Sequence, residues 1–189
     1  MIRAFIFDLD GTLVETELLK AQAYAAVSQT LLGLDAPDER AIDVYRRIVG
    51  ATDETAARAM VDELGLASVM HEGAEEPWQA LSRLQTERYR SDFASGDGLR
   101  SVVYQHTIDL LRDQAASGMA VAVATSSQTE AASRVTKEIG ISDILDVLVG
   151  RDQVTNGKPD PEIYLKTAEL LGVSPDEVIV VEDSATGLE

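Results

Sequence analysis

Cysteine is absent from the chain, which excludes disulfides and thiolate chemistry. No stretch approaches the ~20 consecutive apolar residues of a membrane span. The opening run, Met1 to Phe7, meets Asp8 after too few apolar residues for a secretory signal. Positive charge is scarce: 16 Lys and Arg face 33 Asp and Glu, for a net charge of −17. Such a field repels nucleic acid and anionic membranes, so neither is an expected partner. It also opposes an anionic ligand at long range, so any anion site must be locally cationic. The two histidines, His71 and His106, lack metal-ligand spacing and are assigned no chemistry. A soluble cytoplasmic protein, monomeric or weakly dimeric, is expected.

What the chain does have is an ordinary apolar share, 45% of 189 residues, enough for a packed domain with a smaller insert. Strand-length apolar runs occur at Ala4–Phe7, Ala120–Ala124, Leu145–Val149 and Val178–Val181. The last three each follow a segment of helical spacing. "TIDLLRDQAASG" sets Ile108, Leu111 and Ala115 on one stripe, and "PDPEIYLKTAELLGV" has Pro161 near its start and Gly172 after its end. Continuous apolar strands alternating with helices predict an α/β fold, a parallel sheet covered on both faces. In such sheets, functional groups gather beyond the carboxyl ends of the strands. Between Glu15 and Ser95 the pattern is helical throughout, near Glu15–Leu32, Asp38–Val49, Asp53–Leu64 and Glu75–Phe93. The expected organisation is a core of residues 1–14 and 96–189, interrupted by a helical insert of residues 15–95.

"FIFDLDGTLVETE" ends the first strand in two acids with no basic neighbour. Side chains two apart in an extended segment share a face, so Asp8 and Asp10 point together, their α-carbons about 6.5 Å apart. That gap lets one carboxylate attack a phosphorus while the other reaches the departing oxygen. Gly11 permits a tight turn and close approach to a ligand, and Thr12 adds a hydroxyl and an N–H. "VAVATSS" ends the second strand in Thr125, Ser126 and Ser127, donors suited to phosphate oxygens, although either serine can equally cap a helix. Lys158 lies between Gly157 and Pro159 in a stiff loop. Glu182 and Asp183 end the last strand, a second acidic pair that calls for a cation. Oxygen ligands with a phosphate partner suit Mg²⁺.

Asp8-x-Asp10-Gly-Thr, Thr125, Lys158 and Glu182-Asp183, in this order, resemble the four motifs of the haloacid dehalogenase superfamily. The insert after the first motif resembles the helical C1 cap of its phosphoglycolate-phosphatase and β-phosphoglucomutase-like branch. The resemblance implies a Rossmann-like three-layer core and a phosphatase acting on a small phosphorylated metabolite. It implies Asp8 as nucleophile through an aspartyl-phosphate, and Asp10 as the acid and then the base. Thr125 is implied to bind the phosphoryl group and Lys158 to balance its charge, and Gly11, Thr12 and Ser126 are further candidates to bind it. Mg²⁺ is implied to rest on Asp8, the Asp10 carbonyl and Asp183, with Glu182 ligating it or standing just behind. Dehalogenating members lack the second acid, so Asp10 points to phosphoryl chemistry. A sugar phosphomutase is the nearer alternative, but Lys20 stands where that pattern has a histidine, and Asp53 where it has an arginine. An idle interaction protein on the same scaffold is the other alternative. Lys20, Ala51 and Thr52 are the candidate substrate contacts of the cap, while Arg46 and Arg47 read as surface charges and Trp78 as cap core. Family members continue beyond the helix in which this chain stops, so a shortened end with an open strand edge is expected.

Overall fold

In the computed structural model, which describes residues 1–48, 52–70, 75–93 and 96–188, four apolar runs pair into one parallel sheet. They are β1 (Ala4–Phe7), β2 (Ala120–Ala124), β3 (Val147–Val149) and β4 (Val178–Val181), in the order β3-β2-β1-β4. Three of the four have the bounds expected from the sequence. β3 starts two residues later than the Leu145 expected, because Ser142–Ile144 form a single 3₁₀ turn just before it. Asp146, which follows that turn, accepts the Val121 N–H on its carboxylate at 2.8 Å. Register aligns Phe7 with Val123 and Val181, and Ala124 with Val149, so the carboxyl ends of all four strands lie on one edge.

The path through this sheet fixes where a ligand can sit. From β1 the chain moves one strand at a time to β2 and β3, through the helices Gln105–Ala116 and Thr129–Glu138. It then returns past both strands to β4 through another helix, Glu162–Leu171. Right-handed crossovers in opposite directions cover opposite faces of the sheet. Ile163 of the last helix packs with Ile6, Ala122, Ala124 and Val149 on one of those faces. The direction of winding reverses between β1 and β4, and there the strand ends open a crevice.

The chain divides into two compact units, Met1–Thr16 with Leu99–Glu189, and Glu17–Gly98. The second is helical: α1 (Thr16–Leu32) apart from its first residue, α2 (Glu39–Arg46), α3 (Asp53–Leu64) and α4 (Pro77–Arg88), with a π-helical turn at Tyr89–Phe93. Asp38 caps α2 by accepting the Arg40 N–H, and Pro77 opens α4 after the capping residue Glu76. Tyr24, Val44, Tyr45, Met60, Leu64 and Leu81 form a core of this unit's own, with Trp78 packed partly buried against it. A short helix, α5 (Gly96–Arg100), leads back to the sheet unit, which carries α6 (Gln105–Ala116), α7 (Thr129–Glu138), α8 (Glu162–Leu171) and α9 (Ala185–Leu188). Where the chain leaves the sheet unit and where it re-enters, the two segments are stitched together. Val14 and Val103 form an antiparallel bridge, Glu15 N–H donates to the Val102 carbonyl at 2.8 Å, and Tyr104 N–H donates to the Leu13 carbonyl at 2.9 Å. Among the described residues, no helix is long and apolar enough to cross a membrane.

Candidate active site

Asp8 leaves the end of β1, its N–H donating to the Val181 carbonyl of β4 at 2.9 Å, and is buried. Lys158, from the loop between β3 and α8, reaches the same crevice. Its Nζ stands 2.6 Å from Asp8 Oδ1 and 2.7 Å from Glu182 Oε2. The three side chains are only 7%, 6% and 2% exposed for Lys158, Asp8 and Glu182. Burial drives the Asp8 carboxyl up to about 7 against the pull of Lys158, with Glu182 and Asp10 adding repulsion. Burial also opposes the charge on Lys158, but Asp8, Glu182 and Tyr164 outweigh it and hold the ammonium above its ordinary value. For Glu182, burial is again the largest influence, overcome by hydrogen bonds from Lys158, Ser184 and Tyr164 that hold it low.

Asp10 sits in a cradle of hydroxyls. Its Oδ2 accepts from Ser127 Oγ at 2.7 Å and from the fully buried Thr125 Oγ1 at 3.3 Å, and its Oδ1 accepts from Thr16. Ser127 N–H donates to Thr125 Oγ1 at 3.0 Å, which fixes the turn after β2. Ser126 is exposed, and Ser127 takes the inward place instead. The signal for this was present: in an extended segment Thr125 and Ser127 share a face and Ser126 points away. Thr16, at the start of α1, had no such signal.

Asp183 is held by Thr12, whose Oγ1 donates to its Oδ1 at 3.0 Å. The Gly11 N–H is occupied by the Val14 carbonyl at 2.8 Å. Gly11 has φ 94°, and a Cβ on it would stand 2.3 Å from Asp183 Oδ2. Gly11→Ala is therefore strained twice over, in its backbone and against Asp183. It is expected to weaken divalent-cation binding at this cluster by about tenfold or more, measured by isothermal titration against the native chain. One carboxylate oxygen each from Asp8, Glu182 and Asp183 lie within 4.8 Å of one another. With all three ionised, the carboxylates beside one ammonium leave an excess of two negative charges, which a single divalent cation cancels. An all-oxygen donor set of this kind fits a hard ion such as Mg²⁺. The Asp10 side chain stands outside this group, occupied by its hydroxyls.

The helical unit holds the remaining candidates. Lys20 pairs with Glu17 Oε1 at 2.5 Å, and the other oxygen of Glu17 accepts from Tyr45 Oη at 2.7 Å. Thr52 caps α3, accepting the Thr55 N–H at 3.3 Å, with Asp53 the first helical residue. Ala51 lies outside the described residues, as do Val49, Gly50 and His71. Arg46 and Arg47 form exposed ion pairs with Asp43 and Glu63. In the sheet unit, His106 lies edge-on to the Tyr104 ring at 6.0 Å.

A family model described as haloacid dehalogenase-like hydrolase matches residues 2–189. The chain is 31% identical to a phosphorylated carbohydrates phosphatase of Thermotoga maritima, over all of this chain and 79% of the relative. It is 30% identical to the phosphoglycolate phosphatase of Salmonella typhimurium, over all of this chain and 76% of that one. Among solved structures it resembles CbbY from Rhodobacter sphaeroides in complex with phosphate, at TM-score 0.70 and 28% identity, covering all of this chain and 80% of the other.

Proposed function

The chain belongs to the haloacid dehalogenase-like hydrolases, and from that premise we propose that it is a cytoplasmic, Mg²⁺-dependent phosphatase of small phosphorylated metabolites. The observation that carries this reading is the buried contact of Lys158 with Asp8 and Glu182, set beside Asp183 and Asp10 where the winding of the sheet reverses. The named relatives act in the same sense, one on phosphorylated carbohydrates and one on phosphoglycolate.

In this reading an Asp8 oxygen bonds to phosphorus as the ester P–O bond breaks, and Asp10 gives its proton to the departing oxygen. Asp10 then takes a proton from a water that attacks the aspartyl-phosphate, which frees inorganic phosphate and restores Asp8. Lys158 balances charge on Asp8 and on the phosphoryl oxygens. Thr125 and Ser127 aim the Asp10 carboxylate, and Ser126, in the same turn before α7, is the candidate donor to the phosphoryl group. A divalent ion held by Asp8 and Asp183, with the Asp10 carbonyl, neutralises the transferring group when bound. The helical unit Glu17–Gly98 serves as the cap, and Lys20, Ala51 and Thr52 are its candidate substrate contacts.

The test is phosphate release from p-nitrophenyl phosphate and a panel of sugar and organic phosphates, with Mg²⁺ and with EDTA. Turnover that needs Mg²⁺ on at least one of them is expected. Its absence across the panel defeats the reading and leaves the idle scaffold.

A further inference from the structure

A lysine carries its charge on a flexible four-carbon stem, so it meets a partner only as accurately as its own main chain is held. We propose that Arg151 is a positioning residue for Lys158: with Glu162 it clamps the main chain of residues 154–157, by carbonyls and N–H groups at once, and so sets where the ammonium stands. The inference rests on the phosphatase reading and deepens it.

Arg151 opens a 3₁₀ turn (Arg151–Gln153) shortly after β3. Its own N–H donates to the Ser127 carbonyl at 2.9 Å, which ties this turn to the one after β2. Its guanidinium reaches forward along the loop. Nη1 donates to the Val154 carbonyl at 2.8 Å and Nη2 to the Thr155 carbonyl at 3.3 Å. A Cβ on Gly157 would stand 2.8 Å from Arg151 Nε, so the guanidinium also lies against the main chain one residue before Lys158. Glu162, in the first turn of α8, supplies the opposite polarity. Its Oε1 accepts from the Thr155 N–H and its Oε2 from the Asn156 N–H, both at 2.8 Å. These two donors, Thr155 first, hold the Glu162 carboxyl below its ordinary range, so it is ionised at neutral pH. Thr155 is thus gripped at both its N–H and its carbonyl. Val154, just before it, is buried and packs with the Ile6 and Ala122 cluster. The loop is therefore fixed at its start by the core and along its length by two charged side chains, and Lys158 leaves it already aimed at Asp8.

Amide hydrogen exchange of the full chain, followed residue by residue by NMR, needs no turnover and so separates this inference from its premise. Arg151→Ala is expected to speed exchange at Thr155 and Asn156 about tenfold, while Ser127, whose N–H is held by Thr125 Oγ1, stays within about twofold of native. On p-nitrophenyl phosphate with Mg²⁺ the same variant is expected to lose about tenfold in kcat with KM within about twofold, because a displacement of about 1 Å at a reacting group costs up to about a hundredfold. Glu162→Gln, which puts a donor where an acceptor stood, is expected to speed exchange at Thr155 and Asn156 about threefold or more, with a smaller loss of kcat. No change at the loop, a rise spread evenly over the sheet unit, or a loss that falls on KM alone overturns the assignment and leaves the phosphatase reading standing. So does a loosened loop with kcat within about twofold of native. If Arg151→Ala does not fold, Glu162→Gln decides: native exchange at Thr155 and Asn156 overturns the assignment. A native chain that turns over nothing in the panel brings down both.

Discussion

Asp8→Asn is expected to abolish Mg²⁺-dependent phosphate release, with kcat lowered by about 10⁵-fold. Asparagine keeps the shape of the side chain at the end of β1, but its amide is no nucleophile and carries no charge for Lys158 to meet. Everything else converging on the crevice stays: Asp183 beside Thr12, Asp10 among its hydroxyls, Lys158 against Glu182. The residual rate therefore reports what binding and electrostatics achieve without a covalent step. The measurement is steady-state release from the best substrate of the panel, with acid-quenched native enzyme examined for a phosphorylated protein. A variant that keeps more than about a hundredth of the native rate would show that Asp8 is not the attacking group.

Lys158→Met is expected to cost stability as well as activity. It leaves Asp8 and Glu182, both buried, facing each other without the ammonium between them. Removing one partner of a buried pair costs about 3–5 kcal/mol, because the remaining charge is uncompensated. The loss should depend on pH in a definite direction. With Lys158 in place the Asp8 carboxyl already stands at about 7 through burial, above its unfolded value, and without the cation it rises further. An acid whose folded value is raised binds its proton more tightly in the folded state. Its contribution to stability is then present at low pH and is lost as pH rises through the folded value. Metal-free Lys158→Met should therefore lie closer to the native chain near about pH 5 than near about pH 8, measured by urea unfolding at both. A difference that does not change with pH would place the cost elsewhere.

The site was legible in the sequence where its residues follow directly from a strand end. Asp8 after Phe7, Thr125 after Ala124 and the acids after Val181 need only the alternation of apolar runs and a parallel sheet. The choice of Ser127 over Ser126 depended on the direction of one turn, which alternation hinted at and composition hid. Tyr164 reads along the chain as an ordinary core position of α8, six residues beyond Lys158. Only the path from loop to helix brings its hydroxyl to Glu182. Thr16 is similar, since its contact with Asp10 arises because the segment after the first motif folds back on itself. In the fold, three strands were legible to the residue. The start of β3 was not, since a 3₁₀ turn and an apolar strand onset look alike in Ile144 and Leu145.

The seam between Leu13–Glu15 and Val102–Tyr104 has a further consequence. The sheet unit closes its own gap, so everything between these two segments enters its folding as a loop whose ends are already tied. The entropy of closing such a loop grows only slowly, by about 0.6 kcal/mol for each doubling of its length. Insertions, deletions or wholesale exchange of the intervening helices thus leave the chemistry-bearing scaffold nearly indifferent. The helices can diverge in length and sequence while the sheet keeps its own closure.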